Sequence, residues 1–280
     1  MTRPLLVVDG HSFAHRSYHA LPKTIRRPGG KGAGAILGFA NFLLKLYEAG
    51  KPRAVLVGWD SLDELTYRHE ALASYQGGRE FDDELVEQLE LLPEFVSACG
   101  FANAKAAGYE ADDFLAAAVA KEEKRGGRAI VATSDRDAFQ LASDKTTVLQ
   151  PIKAGELARI GPAEVMQRYG VEPRQVPDFI ALRGDSSDKI PGAAGVGPKT
   201  AVALLPKYGS LEKVLASGRF QEQAAQLRRY RTIATMDKTA PLPVLRNRKP
   251  SWQRAAALAT EWGLNRLAER LQSMRRVSAK

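Results

Sequence analysis

Residues 5–10 read Leu5-Leu6-Val7-Val8-Asp9-Gly10. A short apolar run cut off by an acid and a glycine predicts a buried strand ending in a turn. The same pattern returns twice. Ala54-Val55-Leu56-Val57 stops at Gly58-Trp59-Asp60, and Ala129-Ile130-Val131-Ala132 stops at Thr133-Ser134-Asp135. Between these runs the apolar residues take helical spacing: Ile36, Phe39, Phe42, Leu43 and Leu46, then Leu85, Leu89, Leu92 and Val96. An Ala-rich stretch from Ala111 to Lys124 is halted by Arg125-Gly126-Gly127. Strands alternating with helices predict an α/β fold with a mostly parallel central sheet flanked by helices. All three predicted strands lead into an aspartate. In open parallel sheets, sites form in the crevice at the carboxyl ends of the strands.

The 280 residues carry 41 basic and 32 acidic side chains, a net charge of +9, and 44% of them are hydrophobic. That balance describes a globular chain and favours a polyanionic partner such as nucleic acid. No apolar run approaches the roughly 20 residues needed to span a bilayer, so no membrane partner is expected. The acid at position 9 argues against a secretory signal, and the cytoplasm is the expected compartment. A single cysteine, Cys99, excludes an internal disulfide and a zinc ribbon. Past Gln175 the strand-like runs fade. Helical patterns cover Asp178 to Arg183, Pro198 to Tyr208 and Leu211 to Ala216, followed by the arginine-rich Gln221 to Arg231. The expected division is a core over 1–174 and a helical subdomain over 175–280.

Five acidic groups stand out: Asp9; Asp60; Glu110, Asp112 and Asp113; Asp135 and Asp137; Asp185 and Asp188. Taken singly, each suits a helix cap or a solvated turn. Gathered at one sheet edge they would repel strongly in a partly desolvated cleft. Divalent cations relieve such repulsion, and oxygen-only ligands without a thiol select Mg²⁺ or Mn²⁺. Two such ions about 4 Å apart serve phosphodiester hydrolysis. The histidines His11, His15 and His19 recur at four-residue spacing. No matching fourth ligand accompanies them, which argues against a zinc site; DNA contact by Arg16, Tyr18 or His19 is the preferred reading.

The acidic groups sit in longer motifs. Val8-Asp9-Gly10-His11-Ser12 with Arg16, Tyr109-Glu110-Ala111-Asp112-Asp113 and Thr133-Ser134-Asp135-Arg136-Asp137 occur in that order. Ala181-Leu182-Arg183-Gly184-Asp185-Ser186-Ser187-Asp188 follows, then Ile190-Pro191-Gly192 and Gly195-Val196-Gly197-Pro198-Lys199-Thr200-Ala201. This series resembles the bacterial 5′-nuclease family of flap endonucleases over most of residues 5 to 245. The resemblance implies a PIN-like core with a helical arch near 67–100 and a helix–three-turn–helix near 185–208. It implies a structure-specific 5′-3′ exonuclease and flap endonuclease acting on DNA flaps, nicks and gapped duplexes, in replication and repair. With no polymerase region following, it implies a stand-alone, monomeric enzyme.

By the same resemblance, all nine acids carry over as the ligands of two or more Mg²⁺ or Mn²⁺ ions, and K⁺ belongs at the helix–three-turn–helix. The DNA contacts would come from Arg16, His19, Arg68, Tyr75, Arg79, Gly192, Gly195, Gly197, Lys199 and Thr200. Two positions depart from the family pattern: Gln76 stands where relatives commonly have lysine, and Lys189 where they usually have asparagine. These departures support a rival reading, a DNA junction-binding module that does not cut. A ribonuclease of the related PIN class is a second rival, disfavoured by the Gly192–Thr200 segment.

Overall fold

The computed structural model describes residues 3–62, 64–77, 81–153 and 155–278. The amino-terminal part runs β1 (Leu5–Asp9), α1 (Gly10–Ala20), α2 (Gly34–Gly50), β2 (Ala54–Gly58), α3 (Tyr67–Ala71), α4 (Asp83–Ala98) and β3 (Ala102–Ala104). It continues through α5 (Ala111–Lys124), β4 (Ala129–Ala132), β5 (Thr146–Pro151), β6 (Leu157–Ile160) and α6 (Pro162–Tyr169). The remaining helices are α7 (Val176–Arg183), α8 (Pro198–Tyr208), α9 (Leu211–Ala216), α10 (Ala224–Ala234), α11 (Trp252–Glu261) and α12 (Asn265–Ser278). No helix among the described residues is long and apolar enough to cross a membrane.

The strands form one sheet in the order β3-β2-β1-β4-β5-β6. All neighbours are parallel except β6, which runs antiparallel to β5. The chain steps outward from β1 to β2 and β3, then returns through α5 to β4 on the other side of β1. That reversal opens a crevice at the carboxyl ends of β1 and β4. Both faces of the sheet are covered, which is why its strands read as continuous apolar runs rather than alternating ones. Leu5, Val7, Leu56, Val131 and Val148 pack with residues of α5, α7, α8 and α10. Leu6, Val8, Val57, Ala132 and Leu149 face the other way, with residues of α1, α2, α4, α11 and α12.

The helices that follow residue 175 cover both faces of the sheet. Helices α7 to α10 share a single apolar cluster with α5 and the sheet. Trp252, Ala255, Leu267 and Leu271 of α11 and α12 are buried on the opposite face, with α2 and α4. These last two helices pack against each other and close the core on that face. Within 67–100 the described residues form α3 and α4. Helix α4 buries Leu85, Leu89, Leu92, Phe95 and Val96 and is a layer of the core. The described residues bordering the crevice from this region lie between Ser61 and Phe81.

One glycine fixes the spacing between sheet and site. A Cβ on Gly58, at the end of β2, would lie 2.8 Å from the Ala111 carbonyl oxygen and 3.1 Å from the Leu115 side chain. Its absence lets the first turn of α5 rest on the strand. Gly58→Ala is expected to destabilise the fold by about 1–3 kcal/mol through overpacking, measured by denaturant unfolding. An unchanged midpoint would show that α5 does not depend on this contact.

Candidate active site

Asp9 ends β1 and caps α1. One carboxylate oxygen accepts the Ser12 N–H at 2.9 Å and the other accepts the Thr133 hydroxyl at 2.7 Å. Thr133 follows β4, is fully buried, and accepts the Asp135 N–H at 3.0 Å through the same hydroxyl. The ends of two neighbouring strands are laced together at the carboxylates. The hydroxyls of Ser12 and Ser134 also bond to each other. Asp60, just beyond β2, accepts the Ala111 N–H at 2.7 Å and so holds the start of α5. Asp135 in turn accepts the Asp137 N–H at 2.8 Å. Asp185 and Asp188 come from the loop after α7, where Asp185 accepts the Ser187 N–H at 2.9 Å and pairs with Arg183 at 3.0 Å. One open cleft is lined by Asp9, Asp60, Glu110, Asp112, Asp135, Asp137, Asp185 and Asp188.

Asp113 is the ninth sequence-predicted carboxylate, and it does not line this cleft. It is fully buried and held bidentately by Arg68 at 2.7 and 2.8 Å. It also accepts the Tyr67 hydroxyl at 3.2 Å and the Asp237 N–H at 2.8 Å. The reason is helical geometry: adjacent residues point about 100° apart, so with Asp112 toward the cleft Asp113 turns inward. Arg68, expected as a DNA contact, is engaged within the protein in this structure. It is 3% exposed, and its Nε donates to the Ile233 carbonyl at 3.0 Å, tying α3, α5 and α10 together. Tyr75 is likewise 3% exposed and offers no face for a base to stack on; its hydroxyl donates to Glu110 at 3.1 Å.

Gln76 donates to the Tyr75 oxygen at 2.8 Å and to Asp188 at 3.2 Å. A continuous chain thus joins Glu110 on one wall to Asp188 on the other. Arg16 and His19 are exposed residues lining the cleft, and Arg16 donates to the Ile152 carbonyl at 3.2 Å. Arg79 lies outside the described residues. Gly192 is buried with φ +80°, and a Cβ there would meet the Gly184 nitrogen at 2.5 Å. Its lack of a side chain lets the backbone approach Gly184 closely. Gly195 and Gly197 have open space around them, and Lys199 and Thr200 are exposed at the start of α8. Sequence reasoning did not single out Thr133, nor Arg183 as the ion-pair partner of Asp185. Both sit inside quoted motifs, but a hydrophobic pattern does not reveal which polar group a side chain meets.

Residues 4–170 match the family described as 5′-3′ exonuclease, N-terminal resolvase-like domain, and residues 171–253 match its C-terminal SAM fold. The chain belongs to the 5′-3′ exonuclease family. It is 43% identical over 211 residues to DNA polymerase I of Deinococcus radiodurans, covering 75% of this chain and 21% of that protein. It is 36% identical over 288 residues to DNA polymerase I of Bacillus subtilis, covering 96% of this chain and 32% of that protein. The chain thus spans about a fifth to a third of the length of these relatives. Its fold is that of the bacteriophage T5 flap endonuclease, a structure that contains DNA and metal ions. The TM-score is 0.70 at 18% identity, over 97% of this chain and 98% of that one.

The electrostatics of this exonuclease-family cleft are those of crowded acids. Burial, with the negative charge of Asp60 added, pushes Asp9 up to about 7. Burial also raises Glu110 to about 7, against the counter-pull of Arg68. Asp112 is held well above the ordinary carboxylate range by burial and by Asp135, Asp9 and Asp60. Asp137 is raised by burial and by Asp135, Asp188 and Asp185. Asp185 goes the other way: burial is outweighed by the Ser187 hydrogen bonds and by Arg183. Asp112 Oδ1 is buried and meets no hydrogen-bond donor among the described residues. Among those residues no three metal-binding side chains gather tightly enough to form a ready coordination sphere. The oxygen-only donor set and the orphaned Asp112 oxygen nevertheless fit a hard divalent cation.

A carboxyl whose folded pKa is raised binds protons more tightly in the native state, so stability is lost as pH climbs from about 4 through about 7. Asp9→Asn, in chelator, is expected to melt higher than the parent at pH about 8, with the gain vanishing near pH about 5. Equal gains at both pH values would contradict the crowding.

Proposed function

We propose that this chain is a structure-specific 5′ nuclease that hydrolyses DNA phosphodiesters at 5′ flaps, nicks and gaps, by both exonuclease and endonuclease action. Its setting is DNA replication and repair, and it acts as a monomer. The observation that carries this reading is the delivery of eight of the nine acids singled out from the sequence to one crevice at the strand ends, in a chain of net charge +9. An acidic centre within a basic protein suits a polyanionic substrate whose charge must be neutralised where it reacts.

Two or more Mg²⁺ or Mn²⁺ ions, held by Asp9, Asp60, Glu110 and Asp112 on one wall and Asp135, Asp137, Asp185 and Asp188 on the other, would supply Lewis acidity and ease deprotonation of water. The chain's own groups position that set. Thr133 and Ser12 fix Asp9, the Ala111 amide fixes Asp60, and Arg183 fixes Asp185. Arg16 and His19 stand along the cleft for phosphates. The amides at the start of α8, with Lys199 and Thr200, offer a second phosphate site away from the reacting centre. The open backbone around Gly195 and Gly197 is where K⁺ would sit. Contacts of this kind read phosphates rather than bases, so no sequence preference is expected.

The non-cutting junction binder has one observation in its favour. Gln76 occupies an acceptor of Asp188 with a neutral amide, and so brings no positive charge to the reacting phosphate. A labelled 5′ flap incubated with Mn²⁺, with and without chelator, separates the readings. Metal-dependent product is expected. Asp135→Asn should lower turnover at least about a hundred-fold and leave flap binding intact. Parent-like cleavage by that variant, or no product from the parent, would overturn the proposal.

A further inference from the structure

The first helix carries a second group of metal-binding side chains, apart from the carboxylates. His15 and His19 lie on successive turns of α1, both exposed. Their Nε2 atoms are 3.2 Å apart and their ring centroids 4.4 Å apart. Two nitrogen ligands at about 2.0–2.1 Å from a tetrahedral ion stand about 3.3 Å from each other. In the structure an N–H···N hydrogen bond between the rings sets this separation, and it is close to the bite of one metal ion, which would replace the shared proton.

The rings are also held in place. Phe81 meets the His15 ring edge-on at 6.3 Å, and Tyr18 meets the His19 ring edge-on at 5.2 Å. Tyr18 is itself buried and donates its hydroxyl to Asp82. Asp82 in turn is held beside Lys23 and His19. Rings oriented by their neighbours lose little freedom when a ligand binds.

We propose that His15 and His19 form a two-imidazole site for a borderline divalent transition ion: Ni²⁺, Cu²⁺ or Zn²⁺. Imidazole nitrogen suits these ions, whereas Mg²⁺ and Mn²⁺ favour the carboxylate oxygens deeper in the cleft. Both rings then carry their proton on Nδ1 and present the Nε2 lone pair. Water completes the coordination, so the site is exchangeable rather than structural. Both histidines line the cleft beside Arg16, and an ion bound there would stand in the path of a nucleic-acid strand. Binding itself does not depend on the nuclease reading; inhibition of cleavage does.

The test uses the full chain in saturating Mg²⁺, titrated with Ni²⁺ by calorimetry and with Cu²⁺ by electron paramagnetic resonance. One Ni²⁺ per chain and nitrogen hyperfine structure on the copper signal are expected. Both should be lost in His15→Gln and in His19→Gln, exposed substitutions whose folding is checked by melting temperature. A Ni²⁺ isotherm unchanged in both variants would place the ion on the carboxylates and overturn the proposal. So would the absence of any saturable phase in the parent.

Discussion

Like charges brought close together out of water are the constraint around which this molecule is organised. Nine acids, Glu64 among them, line one cleft, and burial and mutual repulsion raise the pKa of Asp9, Glu110, Asp112 and Asp137. No chain gathers such groups without a structural cost. Much of the nearby architecture can be understood as what holds them in place. Asp9 is bound at both oxygens, Asp60 grips the α5 amide, and the buried Arg68–Asp113 pair anchors the helix that carries Asp112. Removing one partner of a buried pair of that kind costs about 3–5 kcal/mol, because the other charge is left buried and uncompensated.

The sheet supplies the rigidity. The central position of β1, paired on both sides, makes the end of that strand a well-determined point. Placing Asp9 there, with Thr133 on the neighbouring strand end, lets backbone pairing set the distance between the two walls. The long arms of the site are less constrained. Asp185 and Asp188 arrive on a loop and are steadied by Arg183 and Gln76. The guanidinium of Arg183 also lies 5.0 Å from the Phe179 ring centroid and 5.6 Å from that of Tyr169.

The sequence made the architecture legible where side-chain periodicity carries the information. The three strand runs, the Ala111–Lys124 helix and the α8 helix stand where the apolar pattern places them. Individual side-chain partners were less legible. Asp112 and Asp113 are neighbours of identical chemistry, yet one borders the cleft and the other is paired with Arg68; only the helical phase against the sheet separates them. Tyr75 and Arg68 read as surface groups because aromatic and basic residues are often amphipathic, whereas here Arg68 pairs with the buried Asp113 and Tyr75 donates to the half-buried Glu110. The return of α11 and α12 to the far face depends on contacts some 200 residues apart in sequence, which no local pattern encodes.

The central claim is that these scattered acids form one cation-binding cleft. It is tested most directly by anomalous diffraction from crystals soaked in Mn²⁺. Two or more manganese peaks are expected between the Asp9–Asp112 wall and the Asp135–Asp185 wall, with none at Asp113. An empty map between those walls, or manganese found only elsewhere, would contradict the account.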